Sequence, residues 1–88
     1  MDECDAASRL FANGFDELCE WLFSLLESGS VVPMVEVAAE YERILHRRHE
    51  TCTESMLRTT FLRNRLESRY ENMLHFDKLN NYEEYLLL

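Results

Sequence analysis

The stretch that decides the fold is residues 51–88, TCTESMLRTTFLRNRLESRYENMLHFDKLNNYEEYLLL. Its first half predicts a helix, because Thr51 and Glu54 have the spacing of a capping box and no Gly or Pro follows up to about Tyr70. Apolar residues recur along it at helical spacing, namely Leu62, Leu66, Tyr70 and Met73. We therefore expect a helix that begins near Thr51 and ends near Tyr70.

The second half of the stretch predicts a two-stranded hairpin. Asn80 and Asn81 both tolerate the positive φ that a tight turn requires. Folding the chain about them gives one face on which Leu74 opposes Leu87, Phe76 opposes Tyr85 and Lys78 opposes Glu83. One long helix to the C-terminus is the alternative, but it leaves the two asparagines and the change of period unexplained.

Two further helices are predicted upstream. Residues 6–26 carry a wide apolar stripe made of Leu10, Phe11, Phe15, Leu18, Leu22, Leu25 and Leu26. Asn13 and Gly14 are expected to divide it as a C-cap and turn, and Ser28-Gly29-Ser30 to end it. After a β-branched pair, Val31-Val32, a second helix is expected from Pro33 to about His49, with Val37, Tyr41, Ile44 and Leu45 on its inner side.

The totals fit one small domain that spans residues 1–88. The chain is 47% hydrophobic and 30% charged, which is enough for one core and a polar surface. No apolar run approaches the roughly 20 residues that a membrane span needs, so no membrane is expected. Its three cysteines, Cys4, Cys19 and Cys52, form no C-x-x-C pair. We therefore expect a reducing intracellular compartment, with Cys19 in the core.

The order helix, short strand, helix, helix, strand, turn, strand resembles that of winged-helix domains over essentially the whole chain. The resemblance is carried by Val31-Val32 before Pro33, by the capped third helix and by the hairpin around Asn80-Asn81. It implies an α+β fold with a three-helix core and a C-terminal β-hairpin wing. It further implies that Val31-Val32 adds a third strand beside the wing and that the third helix is the recognition helix.

Charge is distributed unevenly, and the third helix carries the candidate site. The net charge is −8, and residues 1–36 contain eight acidic residues against one basic. On the third helix Arg58, Arg65 and Arg69 fall in a narrow sector beside Phe61. With Lys78 of the wing, these residues could bind an anionic partner. In the alternative interpretation the arginines pair with the acidic first helix and Phe61 packs inside.

The first helix suggests a second candidate surface. Its large apolar residues exceed what one side of a small domain usually covers, namely Phe11, Phe15, Trp21, Leu22, Phe23, Leu25 and Leu26, and the candidate interface residues among them are Phe11, Trp21 and Phe23. They form either part of the core or an apolar surface for a partner helix or a second copy.

Signals for chemistry are weak. His46, His49 and Cys52 have spacings of three, but structural zinc sites normally show four ligands in paired clusters. Neither a glycine-rich phosphate loop nor a nucleophile elbow is present in the sequence. We therefore expect no catalytic residues, no metal, no cofactor and no small-molecule substrate.

Together these features predict a non-catalytic interaction module of a nuclear or nucleic-acid-associated regulatory protein. It would bind a protein partner or a second copy through helices 1 and 3. The alternative is DNA binding through helix 3 and the wing, which the clustered arginines favour and the acidic net charge opposes.

Overall fold

Within the residues that the computed structural model describes, three α-helices pack against a small antiparallel sheet. The structure describes residues 11–71, 73–78 and 84–87, without the side chain of Lys78. The elements are α1 (Gly14–Glu27), β1 (Val32–Pro33), α2 (Met34–Arg47), a 3-10 helix (Glu54–Leu57), α3 (Thr59–Arg69), β2 (His75–Lys78) and β3 (Glu84–Leu87). The predicted α+β fold is confirmed: three helices, a strand after the first and an antiparallel C-terminal strand pair.

Helix α1 is capped at both ends, by the Asn13 side chain at its start and by backbone hydrogen bonds of Ser28-Gly29-Ser30 at its end. The Asn13 side chain accepts a hydrogen bond from the Asp16 amide at 3.0 Å, so Asn13 is an N-cap. The predicted break in the apolar stripe therefore falls at Asn13-Gly14, but Asn13 is extended and Gly14 is helical, so they do not form the predicted C-cap turn; the short helix expected before them lies largely outside the described residues. The predicted end at Ser28-Gly29-Ser30 is confirmed, because Gly29 adopts φ 92° and the Ser30 amide donates to the Leu25 carbonyl at 3.1 Å.

Helix α2 ends with the same hydrogen-bond pattern but without a glycine. The amide of His49 donates to the His46 carbonyl at 3.2 Å, and that of Glu50 donates to the Leu45 carbonyl at 2.9 Å. His49 stands at the left-handed position with φ 57°. This turn brings Glu50 back towards the start of α1, where its carboxylate accepts from the Gly14 amide at 3.0 Å.

The third helix begins later than predicted. The Thr51–Glu54 spacing leads into the 3-10 helix, and Thr53 forms no side-chain cap to it. Arg58 is then extended, with φ −69° and ψ 135°, so α3 begins only at Thr59. The half-buried Met56 and Leu57 pack against the core from the 3-10 helix. Helix α3 ends where it was predicted to end, with Tyr70 as its C-cap.

The strand order is β1-β3-β2, so β1 joins the hairpin as expected. The register differs by one residue from the prediction: Phe76 opposes Leu86 and Lys78 opposes Glu84. The predicted pairs of Phe76 with Tyr85, Leu74 with Leu87 and Lys78 with Glu83 were wrong. Leu86 also opposes Val32 of β1, which places both buried side chains on the core face. The expected turn at Asn80-Asn81 lies outside the described residues.

The core is formed by one face of each helix and the inner face of the sheet. The predicted inner residues of α2, Val37, Tyr41, Ile44 and Leu45, are all buried, and so is Cys19 of α1. Helix α3 contributes Leu62 and Leu66, which are fully buried. Gly14 lies so close to α2 that an added Cβ would stand 2.9 Å from the Leu45 side chain.

Candidate functional site: the exposed face of helix α3

Helix α3 buries only one narrow side, which leaves two stripes of side chains towards solvent. The first stripe has the spacing three, four, three and consists of Arg58, which is the extended N-cap, followed by Phe61, Arg65 and Ser68 of the helix. The second consists of Thr60, Asn64 and Glu67 of the helix, followed by Glu71 just beyond its C-cap. One stripe therefore carries arginine and an aromatic ring, and the other carries carboxylates.

Arg65 is held in position by aromatic side chains. Its guanidinium lies 3.9 Å from the centroid of the Phe15 ring and 5.8 Å from that of Phe61. Its Nη1 donates to the Tyr41 hydroxyl at 3.1 Å. Within the part of the chain that the structure describes, no carboxylate pairs with Arg65.

Arg69 points instead to the first helix. Its Nη1 donates to Asp16 Oδ1 at 2.6 Å, and this hydrogen bond raises the pKa of Arg69 above its usual value. The guanidinium also lies 5.5 Å from the Tyr70 ring centroid. For Arg69, the interpretation that the arginines pair with the acidic first helix therefore matches the geometry.

Arg63 was not among the predicted site residues, and it ties α3 to the sheet. Its guanidinium lies 3.3 Å from Glu84 of β3 and 3.6 Å from Glu67 on its own helix. It also lies 5.1 Å from the centroid of the Phe76 ring in β2.

The other predicted residues of this site differ in accessibility. Phe61 is 39% exposed, so the alternative in which it packs inside does not describe it. Arg58 is exposed and forms no ion pair with any described residue. The side chain of Lys78 lies outside the described part, so its predicted role stays a prediction.

The three aromatic residues predicted for the first helix are each only partly accessible. Trp21 and Phe23 pack against the core as half-buried side chains, and the Phe23 ring lies 4.5 Å from that of Tyr70. Phe11 is half-buried, and its carbonyl accepts from Arg48 Nη2 at 2.9 Å. The role of this trio in binding a partner stays a prediction.

Sequence reasoning missed that Phe15 and Tyr41 support the site from below. Both are buried, and their rings meet edge to face with centroids 6.1 Å apart. A signal was present for Tyr41, because a tyrosine on the inner side of a helix needs a hydrogen-bond partner for its hydroxyl. Arg65 is that partner.

Other candidate chemistry finds little support in the geometry. No cluster of three or more His, Cys, Asp or Glu side chains with metal-binding geometry occurs among the described residues, which include His46, His49 and Cys52. Burial raises the pKa of the Cys19 thiol, so less of the reactive thiolate is present near neutral pH. Burial, together with a hydrogen bond to Cys19, raises the pKa of Tyr70 to about 12.

Across the described ranges, no helix combines the length and the apolar composition that crossing a bilayer requires. No family model matches the sequence, and neither the curated proteins nor the solved structures include a match to it.

Proposed function

We propose that this chain is a winged-helix-like, non-catalytic interaction module that binds a protein partner through the Arg58–Phe61–Arg65–Ser68 stripe of α3. Three helices, with one strand after the first helix and an antiparallel strand pair after the third, in the sheet order β1-β3-β2, are compatible with the winged-helix arrangement. The observation that carries the proposal is an exposed aromatic ring beside an arginine that is fixed in place yet has no described carboxylate partner. Aromatic and arginine side chains dominate the energetics of protein interfaces.

The electrostatics of α3 favour protein over DNA. Arg63 and Arg69 are already paired with acidic groups of the domain. Glu67 and Glu71 are exposed on the neighbouring stripe, where they would repel phosphates. A duplex presents about one charge per 1.7 Å of its axis, so it would meet these carboxylates as well as the arginines.

Photo-crosslinking tests the proposal directly. A benzoylphenylalanine placed at Phe61 is expected to give discrete covalent adducts with another protein in cells that express the chain. The matched control carries the same probe at Val35, which is 47% exposed on α2. Adducts from Val35 but not from Phe61 would move the interface away from α3 and refute the proposal.

DNA binding by α3 and the wing is the second candidate, because the winged-helix-like arrangement and the clustered arginines favour it. It predicts that labelled duplex DNA binds at low salt, that affinity falls steeply with salt, and that an Arg65→Ala/Arg69→Ala variant loses it. We expect no binding at low salt. Binding that the double variant abolishes would favour this second candidate over a protein partner.

A further inference from the structure

The immediate surroundings of Arg65 define what kind of group it can bind. The Phe15 ring covers one face of the guanidinium, and Tyr41 accepts one of its five N–H donors. A planar fork held in this way loses little conformational entropy when it binds a further group. Arg65 also lines a shallow depression together with Phe15, Ser68 and Arg69.

The other cations on α3 differ from Arg65. Arg63 lies between two glutamates, and Arg69 is paired with Asp16. Arg65 therefore presents a guanidinium whose described contacts are all uncharged. A single carboxylate could bind the Arg65 guanidinium through two parallel N–H···O hydrogen bonds, the arrangement that suits both groups.

The surface beside Arg65 carries an exposed aromatic ring, so a matching partner also needs an apolar side chain. The Phe61 ring stands 39% exposed on the turn before Arg65, with its centroid 5.8 Å from the guanidinium carbon. Arg58 continues the stripe beyond Phe61 and adds a second positive charge. A partner that matches this stripe carries an apolar side chain next to one or two carboxylates.

We propose that Arg65 and Phe61 together bind an acidic amphipathic helix of a protein partner, in which an Asp or Glu lies one turn from a large apolar side chain. This inference rests on the proposed function and names the chemistry of its partner. The carboxylate binds the free edge of the Arg65 guanidinium, and the apolar side chain packs on Phe61. The two contacts are separated by about one helical turn on α3, which matches the spacing of neighbours along one face of the partner helix.

A small probe with the same two groups tests this chemistry. We would titrate 3-phenylpropionate, which joins a carboxylate to a ring, into the isotope-labelled full chain and follow the Arg65 Nε–H and Phe61 ring signals by NMR. The uncharged 3-phenylpropionamide is the matched ligand, and inorganic phosphate is the competing anion. We expect saturable shifts with 3-phenylpropionate and none with 3-phenylpropionamide or with phosphate.

Variants locate the binding site. Arg65→Gln is expected to weaken binding about tenfold, which corresponds to one lost charge-assisted hydrogen-bond pair. Arg65→Lys keeps the charge without the planar fork and is expected to weaken it severalfold, as is Phe61→Ala. Arg43→Gln is the matched control, because Arg43 has a 64% exposed side chain on α2. If Arg65→Gln unfolds the domain, the affinities of Arg65→Lys and Phe61→Ala for 3-phenylpropionate still test the proposal.

Several outcomes would overturn the inference. Equal shifts with the amide would mean that the carboxylate is not recognised, and shifts with phosphate alone would indicate a phosphate site. Concentration-dependent shifts of the same signals before any probe is added would identify a second copy as the occupant. If Phe61 crosslinks to a protein while 3-phenylpropionate leaves Arg65 unmoved, the interaction module stands and only its partner chemistry is wrong.

Discussion

His49 occupies the left-handed position that ends α2, with φ 57°. A side chain there costs roughly 1–2 kcal/mol relative to the right-handed region, and glycine avoids this cost. Because glycine also gains freedom in the unfolded chain, His49→Gly is expected to raise the free energy of unfolding by only about 0.5–1 kcal/mol. Urea denaturation of the variant beside His46→Gly measures this. His46 is still helical, in the last turn of α2, so its replacement is expected to destabilise by about 0.5 kcal/mol.

If His49→Gly destabilised the domain as His46→Gly does, the imidazole of His49 would contribute a contact that outweighs its backbone conformation. The His49 position also shows what sequence could not provide. Histidine is enriched at left-handed positions together with Asn and Asp, but most histidines lie elsewhere, so His49 alone did not predict one. Predicting the helix end near His49 was possible because the apolar pattern of α2 stops there, but the reversal that brings Glu50 to α1 gave no local signal.

At the scale of elements, apolar spacing predicted where helices and strands lie but not how they join. Tyr85, Leu86 and Leu87 are three apolar residues in a row, so alternation alone cannot say which of them faces the core. In the observed register Leu86 opposes Val32 on one neighbouring strand and Phe76 on the other, and Leu86 is the residue of the three that is buried in the core. For the candidate site, helical geometry alone predicted the exposed stripe of α3. Phe15 and Tyr41, which contact Arg65, lie on the other two helices, so they could be identified only once the fold was known.

Arg63 is the side chain that links α3 to both strands of the hairpin. Its ion pair with Glu84 is partly exposed, and its Nε is buried without a hydrogen-bond partner among the described residues. Its guanidinium also lies over the Phe76 ring, 5.1 Å from the centroid. We expect packing to matter more than charge, because exposed ion pairs contribute about 0–1 kcal/mol while an unpartnered buried group costs free energy.

Arg63→Met is therefore expected to change the free energy of unfolding by less than about 0.5 kcal/mol, whereas Arg63→Ala lowers it by about 1 kcal/mol. Urea denaturation measures both, and amide hydrogen exchange in β2 and β3 is expected to accelerate only in Arg63→Ala. Equal losses in the two variants would show that the ion pair with Glu84, rather than the cover over Phe76, holds the hairpin to α3.

At the scale of the whole molecule, Glu50 joins the end of α2 to the start of α1. Its carboxylate accepts from the Gly14 amide at 3.0 Å and from Arg48 Nε at 2.6 Å. Arg48 in turn pairs with Glu17 of α1 and donates to the Phe11 carbonyl. Since α1 supplies Phe15 beneath Arg65 and Asp16 beside Arg69, this junction also determines how the α3 site is supported from below.

The junction predicts a pH dependence of stability. Burial alone would raise the pKa of Glu50, but the hydrogen bonds from Arg48 and Gly14 and the charge of Arg48 outweigh it and lower this pKa below its usual 4.5. A lowered folded-state pKa stabilises the protein above the unfolded value, and this contribution is lost as pH falls through the folded-state pKa.

Glu50→Gln is therefore expected to cost about 1 kcal/mol at pH 7, and the difference from the unmodified chain should shrink below pH 4.5. Urea denaturation from pH 7 to 3 measures it, with Glu42→Gln, exposed on α2, as the control that changes charge alone. A difference that stayed constant over this range would mean that the Gly14 amide binds the neutral side chain equally well, and that Arg48 is anchored to α1 chiefly through Glu17 and Phe11.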